Sequence, residues 1–384
     1  MYGIAKTFGP LYLATLMMQV GATLLITFLA LRASGAGADD FQVGALMAAH
    51  ALGMVGGAGV GRLLIARLGH VRAYVASAGI ILLAVLGHAA SAALPLWLVL
   101  RVIVGVATIC QWMVLESWLN DRADSRQRGT VLAIYMIATY GGMMLGQLAV
   151  GLDDAAGTYA YPAVALAFVL ALVPLAITRA QPPSATASQR VPLGSLVRGL
   201  AQPLGTVFVS GTLNGSFFGL AALYAAHQGM DAAAVGRYLA FTVVAGLLAQ
   251  LPLGWLSDRV CRVTLIRGIA VALALACLPL GLYQGFSPTT LLVFAFAIGS
   301  LQFCMYPLGA GLANERIAPH LRVPLAGLLL TVFGVGSCLG PLLAGALMSL
   351  AGAPSLYCFL AACAAGLAVF MGQARVVGAQ PDRA

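Results

Sequence analysis

Arg101 has the chemistry that stands out in this sequence, because its strongly basic side chain lies inside a long apolar run. A guanidinium in lipid is costly unless it is paired or faces water, so such a residue is a functional candidate. Its planar fork suits a carboxylate or a phosphate. We therefore expect Arg101 to attract an anionic group of a ligand or to tune a protonatable neighbour. The alternative is a side chain that only reaches back to the membrane surface.

A second charged candidate, Glu116, falls on the same face of the same predicted helix. Helical spacing places Arg101, Gly105, Thr108, Trp112 and Glu116 on one stripe that mixes charge, a small residue and an indole. Such a stripe suits a cavity wall better than a lipid-facing surface. Three hypotheses stay open for Glu116: an ion-pairing latch at one end of the protein, a protonatable coupling site, and a plain interfacial residue.

Polar side chains also interrupt the other apolar runs. His50 can titrate near neutral pH and shares a helical face with Met47 and Met54. Soft ligands of this kind could hold Cu(I), although methionine in helices more commonly serves packing. The other embedded amides and hydroxyls could line a cavity or hydrogen-bond between helices; they are Gln19, Gln111, Tyr140, Gln147, Asn214, Tyr224, Gln250, Gln302 and Tyr306.

The elements that must carry these residues are apolar helices long enough to cross a bilayer. Mean hydropathy is +0.97, 61% of the residues are hydrophobic and only 8% are charged. About 20 apolar residues span a hydrocarbon core as a helix, and no stretch alternates as the strands of a membrane barrel do. The sequence predicts an all-α membrane protein with twelve transmembrane helices, near residues 11–31, 43–64, 73–93, 96–119, 130–152, 161–177, 207–227, 235–256, 265–283, 290–312, 324–350 and 355–374.

The net charge of +9 is placed in a way that indicates orientation. Cytoplasmic loops of membrane proteins carry the excess of arginine and lysine, so we predict a bacterial inner-membrane protein with both termini and the central loop in the cytoplasm. Basic charge then gives no reason to expect a nucleic-acid partner. The basic loops hold Arg62, Arg67, Arg72, Arg122, Arg126, Arg128, Arg179, Arg190, Arg198, Arg259, Arg262, Arg267, Arg316 and Arg322; the opposite loops hold Arg32 and Arg237 with Asp39, Asp40, Asp153, Asp154 and Asp231.

The second half of the chain repeats the first at an offset of 194 residues. Gly105 matches Gly299, and the triplet Asn-Asp-Arg at 120–122 matches Asn-Glu-Arg at 314–316. Paired homologous halves are a common construction of secondary transporters. We predict an N-terminal six-helix bundle (1–178), a cytoplasmic linker rich in proline and polar residues (179–203) and a C-terminal six-helix bundle (204–384).

Several motifs carry a resemblance to a known family. The string GWLSDRVCR (254–262) resembles the loop signature G-x-L-x-D-R-x-G-R of the major facilitator superfamily, with Cys261 where glycine is usual. RVIVG (101–105) is similar to its R-x-x-x-G motif, and GSCLGP (336–341) to its G-x-x-x-G-P motif. The strings RLGHVR (67–72), ESWLNDR (116–122) and ANER (313–316) resemble the YcaD-like subgroup over essentially the whole chain.

This resemblance implies two six-helix bundles around a central cavity and rocking alternating access. It implies that spans 1, 4, 7 and 10 line the cavity, which selects Gln19, Gln111, Asn214, Tyr224, Gln302 and Tyr306 as contacts for a small-molecule substrate. Charged residues at the arginine-rich end would form latches when that side is closed; the set is Arg62, Arg67, Asp121, Arg122, Asp258, Arg259 and Arg262.

We predict a secondary transporter that moves a small organic solute, with an anionic solute favoured by Arg101 and proton coupling expected. The alternatives are a facilitator without coupling, an anion exchanger that uses Arg101, a multidrug or metabolite exporter and a copper importer, while a membrane enzyme and a non-transporting sensor find little support. No P-loop motif and no cofactor motif occurs in the sequence, and we expect a monomer. The seven cysteines should be small apolar packing residues.

Overall fold

The protein is all-helical in a computed structural model, which describes residues 2–122, 128–152, 159–177, 197, 199–318 and 321–373. We number the long helices α1 to α12 and treat one broken helix as a single element. They are α1 (Tyr2–Gly35), α2 (Asp40–Leu68), α3 (His70–Ala90), α4 (Leu94–Arg122), α5 (Arg128–Ala149), α6 (Ala160–Ile177), α7 (Ala201–His227), α8 (Ala232–Ser257), α9 (Arg262–Leu282), α10 (Pro288–Glu315), α11 (Arg322–Ala351) and α12 (Ser355–Gln373).

These helices have the length and the composition of membrane spans. Eleven of them are long and apolar enough to cross a bilayer, and the twelfth, α6, has a shorter apolar stretch. A helix satisfies all its backbone groups internally, which is what hydrocarbon demands. Large apolar side chains point outward where lipid would cover them, as with Leu83, Leu251 and Leu350, which are 70%, 81% and 86% exposed.

Side-chain caps begin several helices at one end of the protein. The Asp39 side chain accepts a hydrogen bond from the Gln42 amide in a reciprocal capping box at the start of α2. Asp231 accepts a hydrogen bond from the Ala234 amide at the start of α8, and Ser287 caps α10 ahead of Pro288. We call this end the acidic end and the opposite end, which carries the arginines, the basic end.

Within each half the helices cross where glycine lets backbones touch. A Cβ on Gly105 of α4 would lie 2.1 Å from the His50 carbonyl oxygen of α2, and one on Gly299 of α10 would lie 2.2 Å from the Thr242 carbonyl oxygen of α8. The repeat seen in the sequence is therefore a repeat of helix crossings. The predicted linker (179–203) lies almost wholly outside the described residues, so the domain boundaries stay a prediction.

The two halves meet at the acidic end and midway along the helices. Near that end the Phe41 amide donates to the Ser349 hydroxyl over 2.9 Å, joining α2 to α11. A Cβ on Gly236 of α8 would lie 2.4 Å from the Gln147 carbonyl oxygen of α5. Among the described residues, these contacts close the space between the halves at the acidic end.

Helix α10 is interrupted at Phe303–Cys304, between segments Pro288–Gln302 and Met305–Glu315. The Phe303 ring lies against Gly246 of α8, where a Cβ would be only 2.3 Å from the ring. The repeat-related position in α4, Ile109–Cys110, continues as regular helix. A break inside a span is tolerated where it is buried in protein.

Candidate functional site

Arg101 is enclosed by protein, with 1% of its surface exposed, seven residues into α4. Its Nε lies 3.5 Å from the Leu46 carbonyl oxygen and its Nη2 lies 3.8 Å from the Met47 sulfur, both on α2. These are long contacts for a group with five N–H donors. No described carboxylate forms an ion pair with Arg101, so its charge lacks an acidic partner in this part of the chain.

His50 lies next to Arg101 in the structure, and the sequence patterns did not predict this proximity. The His50 ring lies against the backbone carbonyl of Arg101 and within reach of its charge. A positive guanidinium on Met47 and beside His50 disfavours a cation at these ligands. Among the described residues, no group of three His, Cys, Asp or Glu side chains could hold a metal ion.

Glu116 lies toward the basic end of α4, about 22 Å along the helix from Arg101 at 1.5 Å per residue. The Tyr135 hydroxyl of α5 donates to Glu116 Oε1 over 3.4 Å. The carboxylate also lies within electrostatic range of the Tyr306 hydroxyl of α10, across the gap between the halves. Arg101 and Glu116 are therefore too far apart for one small ligand, whereas Glu116 has an electrostatic neighbour, Tyr306, in the other half.

The predicted amides divide into buried groups without partners and groups bonded within their own half. Gln111 and Gln302 are fully buried, and neither amide atom of either side chain has a partner; the Trp112 indole nitrogen has none either. Asn214 donates to the Ser210 carbonyl of its own helix over 2.8 Å. Gln19 lies where α1 meets Gly142 of α5.

Tyr224 occupies the core of the second half. Its hydroxyl donates to the Leu280 carbonyl of α9 over 3.4 Å, and its ring makes an edge contact with Tyr357 of α12. Tyr306 packs edge-on against Phe333 of α11, with ring centroids 5.2 Å apart. Of the two tyrosines that the family resemblance selected, Tyr306 thus packs on α11 and Tyr224 packs on α9 and α12.

The latch residues of the second half pair with each other in this state. Asp258 Oδ1 is 3.1 Å from Arg262 Nη2, and Arg262 Nε is 3.3 Å from Glu315 Oε1. The Arg259 guanidinium stacks on the Trp255 ring, 3.6 Å from its centroid. Arg122 lies exposed at the end of α4, while the side chain of Asp121 lies outside the described residues. Arg62 and Arg67 lie at the basic end of α2. A latch between the halves stays a prediction.

The sequence patterns did not predict two residues that lie next to the candidate site residues, or a joint between the halves. His88 of α3 lies near Arg101, and Tyr135 supplies the partner of Glu116. A joint between the halves forms where Gln250 Nε2 of α8 donates to the Tyr140 hydroxyl of α5 over 2.6 Å. The Tyr140 ring meets the Phe303 ring edge-on at 5.8 Å. Only the embedded polarity of Tyr140 and Gln250 hinted at this joint.

Comparison with known proteins gives consistent matches along the chain. The family model of the Major Facilitator Superfamily matches residues 11–322 and 203–381. An "Uncharacterized MFS-type transporter YcaD" from Salmonella typhimurium is 29% identical over 335 residues, which is 87% of this chain and 86% of the relative. The protein with the same description from Salmonella paratyphi A is 30% identical over 340 residues, covering 88% and 87%.

Solved structures share the fold at low sequence identity. The nucleoside transporter NupG superposes with a TM-score of 0.73 at 16% identity, covering 94% of this chain and 97% of that one. The D-xylose-proton symporter superposes with a TM-score of 0.74 at 15% identity, covering 97% and 98%. The predicted twelve-helix fold is thereby confirmed.

Proposed function

Since the chain belongs to the major facilitator superfamily, we propose that it is a secondary transporter of a small anionic organic solute in the bacterial inner membrane. It works by alternating access and couples solute movement to protons. The observation that carries the solute class is Arg101, a buried guanidinium whose described contacts are a carbonyl oxygen and a thioether. A charge held in this way gains most from an anionic partner.

The packing between the halves supports alternating access. The halves touch at the acidic end through Phe41 and Ser349 and midway through Tyr140 and Gln250. The arginine asymmetry supports a cytoplasmic basic end, and in that orientation this state is closed toward the outside. Its second-half ion pairs stay within one half, as expected of a latch that forms only in the opposite state.

Proton coupling has one well-placed carboxylate. Glu116 is partly buried, accepts a hydrogen bond from Tyr135 and lies within electrostatic range of Tyr306 in the other half. A carboxyl group in such a place can exchange a proton as the gap opens and closes, because its surroundings differ in the two states. We assign it the coupling role and keep Arg101 for the solute.

One cluster favours a second candidate function, the export of a bulky apolar compound. Tyr140 and Phe303 pack with Phe218 and with Met136, Met143 and Met144 between the halves. Aromatic and methionine side chains adapt to varied apolar ligands. Export of this kind needs no contact between solute and Arg101, so variants at Arg101 distinguish the two functions.

Uptake into proteoliposomes tests the proposal directly. Purified protein is reconstituted and given a panel of radiolabelled organic anions, cations and neutral solutes, with and without an inward proton gradient. We expect saturable uptake of at least one anion, accelerated by the gradient. Uptake of cations or apolar dyes alone would contradict the anion assignment, and uptake indifferent to the gradient would contradict proton coupling.

The native residue Cys261 offers a test of orientation. It is exposed between α8 and α9, and the backbone N–H of Thr264 lowers the pKa of its thiol, so more of it is thiolate at neutral pH. With Cys261 as the only cysteine, an impermeant maleimide should label broken cells and spare intact spheroplasts. Ala36→Cys in a cysteine-free chain, exposed at the acidic end, is the matched control and should label in both. Labelling of Cys261 from outside would reverse the orientation.

A further inference from the structure

Three nitrogen-bearing side chains from three helices converge in the acidic-end part of the first half. Arg101 of α4 contacts Leu46 and Met47 of α2, and the His50 ring lies against its backbone carbonyl. His88 of α3 lies within range of the same charge. The neighbouring pair Gly87 and Leu100 is in contact, since a Cβ on Gly87 would lie 2.9 Å from Leu100.

Trp97 completes one wall of this cluster. It lies one helical turn before Arg101 on the same face of α4, and its ring centroid is 5.6 Å from that of His88. Both His88 and Arg101 are 1% exposed, and Trp97 is 3% exposed. The three residues therefore lie in protein rather than at the lipid surface.

The two histidines each present a buried acceptor. His88 Nδ1 must donate to the Ala84 carbonyl, 2.7 Å away, so a neutral ring leaves Nε2 as a bare acceptor. Nε2 of His88 and Nδ1 of His50 are buried and have no partner. A buried polar atom without a hydrogen-bond partner is unfavourable, so the cluster favours a ligand that satisfies it.

We infer that Arg101, His50 and His88 form one binding site for a small 2-hydroxycarboxylate, with the carboxylate on Arg101 and the hydroxyl donating to a histidine. This inference rests on the proposed function and names its solute class. The donors of the guanidinium match the carboxylate oxygens, and a neutral imidazole nitrogen accepts from the hydroxyl. A 2-amino acid fits less well, because its ammonium group would lie beside the guanidinium.

Access to this site depends on the contact between the halves. Met47 covers the Arg101 side chain and packs against α7, where a Cβ on Gly219 would lie 2.6 Å from Met47 Cγ. The carboxylates nearest along α2 are Asp39 and Asp40; Asp40 interacts electrostatically with His227 and Asp39. Separation of α2 from α7 would uncover Arg101, which links binding to the alternation of the two states.

Matched pairs of acids test the inference on the purified full-length protein. Glycolate against acetate, and L-lactate against propionate, differ by one hydroxyl each, and titration calorimetry gives their affinities. We expect the hydroxy acid of each pair to bind at least about tenfold more tightly to the wild type. Equal affinity within each pair, or no binding of any of the four, would overturn the inference.

Variants separate this inference from the proposed function. The hydroxyl donates to one histidine, so at least one of the two variants His88→Leu and His50→Leu should abolish the preference for the hydroxyl. Acetate and propionate should still bind to both variants. His88→Gln, which keeps an acceptor, should retain part of the preference and also controls for misfolding. Arg101→Ala should remove binding of all four acids. If Arg101→Ala removes binding while both histidine variants keep the full hydroxyl preference, the histidine site is wrong and the anion transporter stands.

Discussion

Helices α4 and α10 occupy equivalent places in the two halves, yet they differ in the charged residues inside their apolar runs. Both cross a neighbour at a glycine, Gly105 in α4 and Gly299 in α10. Arg101 and Glu116 of α4, however, correspond to Ala295 and Ala310 of α10 at the repeat offset of 194 residues. Both helices have the glycine at which they cross a neighbour, whereas only α4 has a charged residue at these two positions.

The difference extends to backbone shape. Helix α4 is regular along its length, whereas α10 breaks at Phe303–Cys304. The break puts the Phe303 ring against Tyr140 of the opposite half. The comparison indicates that α4 carries charged residues at two positions where α10 has alanine, while α10 supplies an irregular segment at the joint between the halves.

Among the changes that test this difference between α4 and α10, replacement of Arg101 should reduce transport the most. Arg101→Ala should lower transport of an anionic solute about a hundredfold, as expected from losing two charge-assisted hydrogen bonds of about 1.5 kcal/mol each. Arg101→Lys keeps the charge but loses the fork, and should raise the apparent substrate constant severalfold. Arg237→Ala, at an exposed arginine of the acidic end, is the control. Near-normal uptake by both Arg101 variants would show that transport does not depend on the Arg101 guanidinium.

The shared glycines should be equally sensitive in both halves. Gly105→Ala and Gly299→Ala should each destabilise the folded protein by roughly 1–3 kcal/mol, because the new methyl group meets a backbone carbonyl. Thermal unfolding in detergent, followed by a thiol-reactive dye on the buried cysteines, measures the change. Gly79→Ala, with no atom within 4 Å of its Cβ, should be neutral or slightly stabilising. A tolerated Gly299→Ala beside a damaging Gly105→Ala would mean that the two crossings are not equivalent.

A smaller effect is expected from a change at the joint between the halves, where Tyr140 contacts Gln250 and Phe303. Tyr140→Phe removes the 2.6 Å hydrogen bond from Gln250, worth about 1 kcal/mol, and should shift the balance between the two states about fivefold. Spin labels at exposed Ala36 and Ala232 would report a longer mean distance across the acidic end. Tyr283→Phe, at a tyrosine that is 58% exposed, should leave the distance distribution unchanged. If the distance distribution of Tyr140→Phe equals that of the wild type, the Tyr140–Gln250 hydrogen bond does not affect the balance between the two states.

The smallest change in stability is expected for a substitution at Asp258, in the loop between α8 and α9. Asp258→Asn breaks an ion pair whose carboxylate side chain is 71% exposed, so stability should change by less than about 1 kcal/mol. Transport should nonetheless slow severalfold if Asp258 latches the opposite state. In the first half Ala66 precedes Arg67 at the end of α2, as Asp258 precedes Arg259 after α8, and Ala66→Asp tests whether a second latch can be added. Unaltered transport in Asp258→Asn would reduce the pair to ordinary surface charge.

Much of the fold follows from local patterns. Apolar runs predict the twelve helices, with most ends correct to within a few residues. The exceptions are α1, which begins at Tyr2 rather than at residue 11, and α7, which begins at Ala201 rather than at residue 207; α2 begins at Asp40 because Asp39 caps it. The repeat of glycines predicts equivalent crossings because a missing side chain is what close backbones require. Buried polar residues such as Arg101 and Gln302 are also apparent in the sequence, since polarity in an apolar run is conspicuous.

The partners of those residues could not be read in the same way. His88 sits on a different helix from Arg101, and its acceptor is bare because Ala84 holds its other nitrogen. Gln250 and Tyr140 are 110 residues apart in sequence, and their helices belong to different halves. Nothing in either local pattern encodes such a pairing.

The sequence by itself determined what the solvent demands: apolar helices, basic loops on one side and glycines where helices cross. The bilayer imposes these choices on each segment separately, so each segment records them. The tertiary structure alone decided which buried polar groups meet, where α10 breaks and which end of the molecule is closed. Those outcomes depend on how two bundles pack against each other, and packing is a property of surfaces assembled from distant parts of the chain.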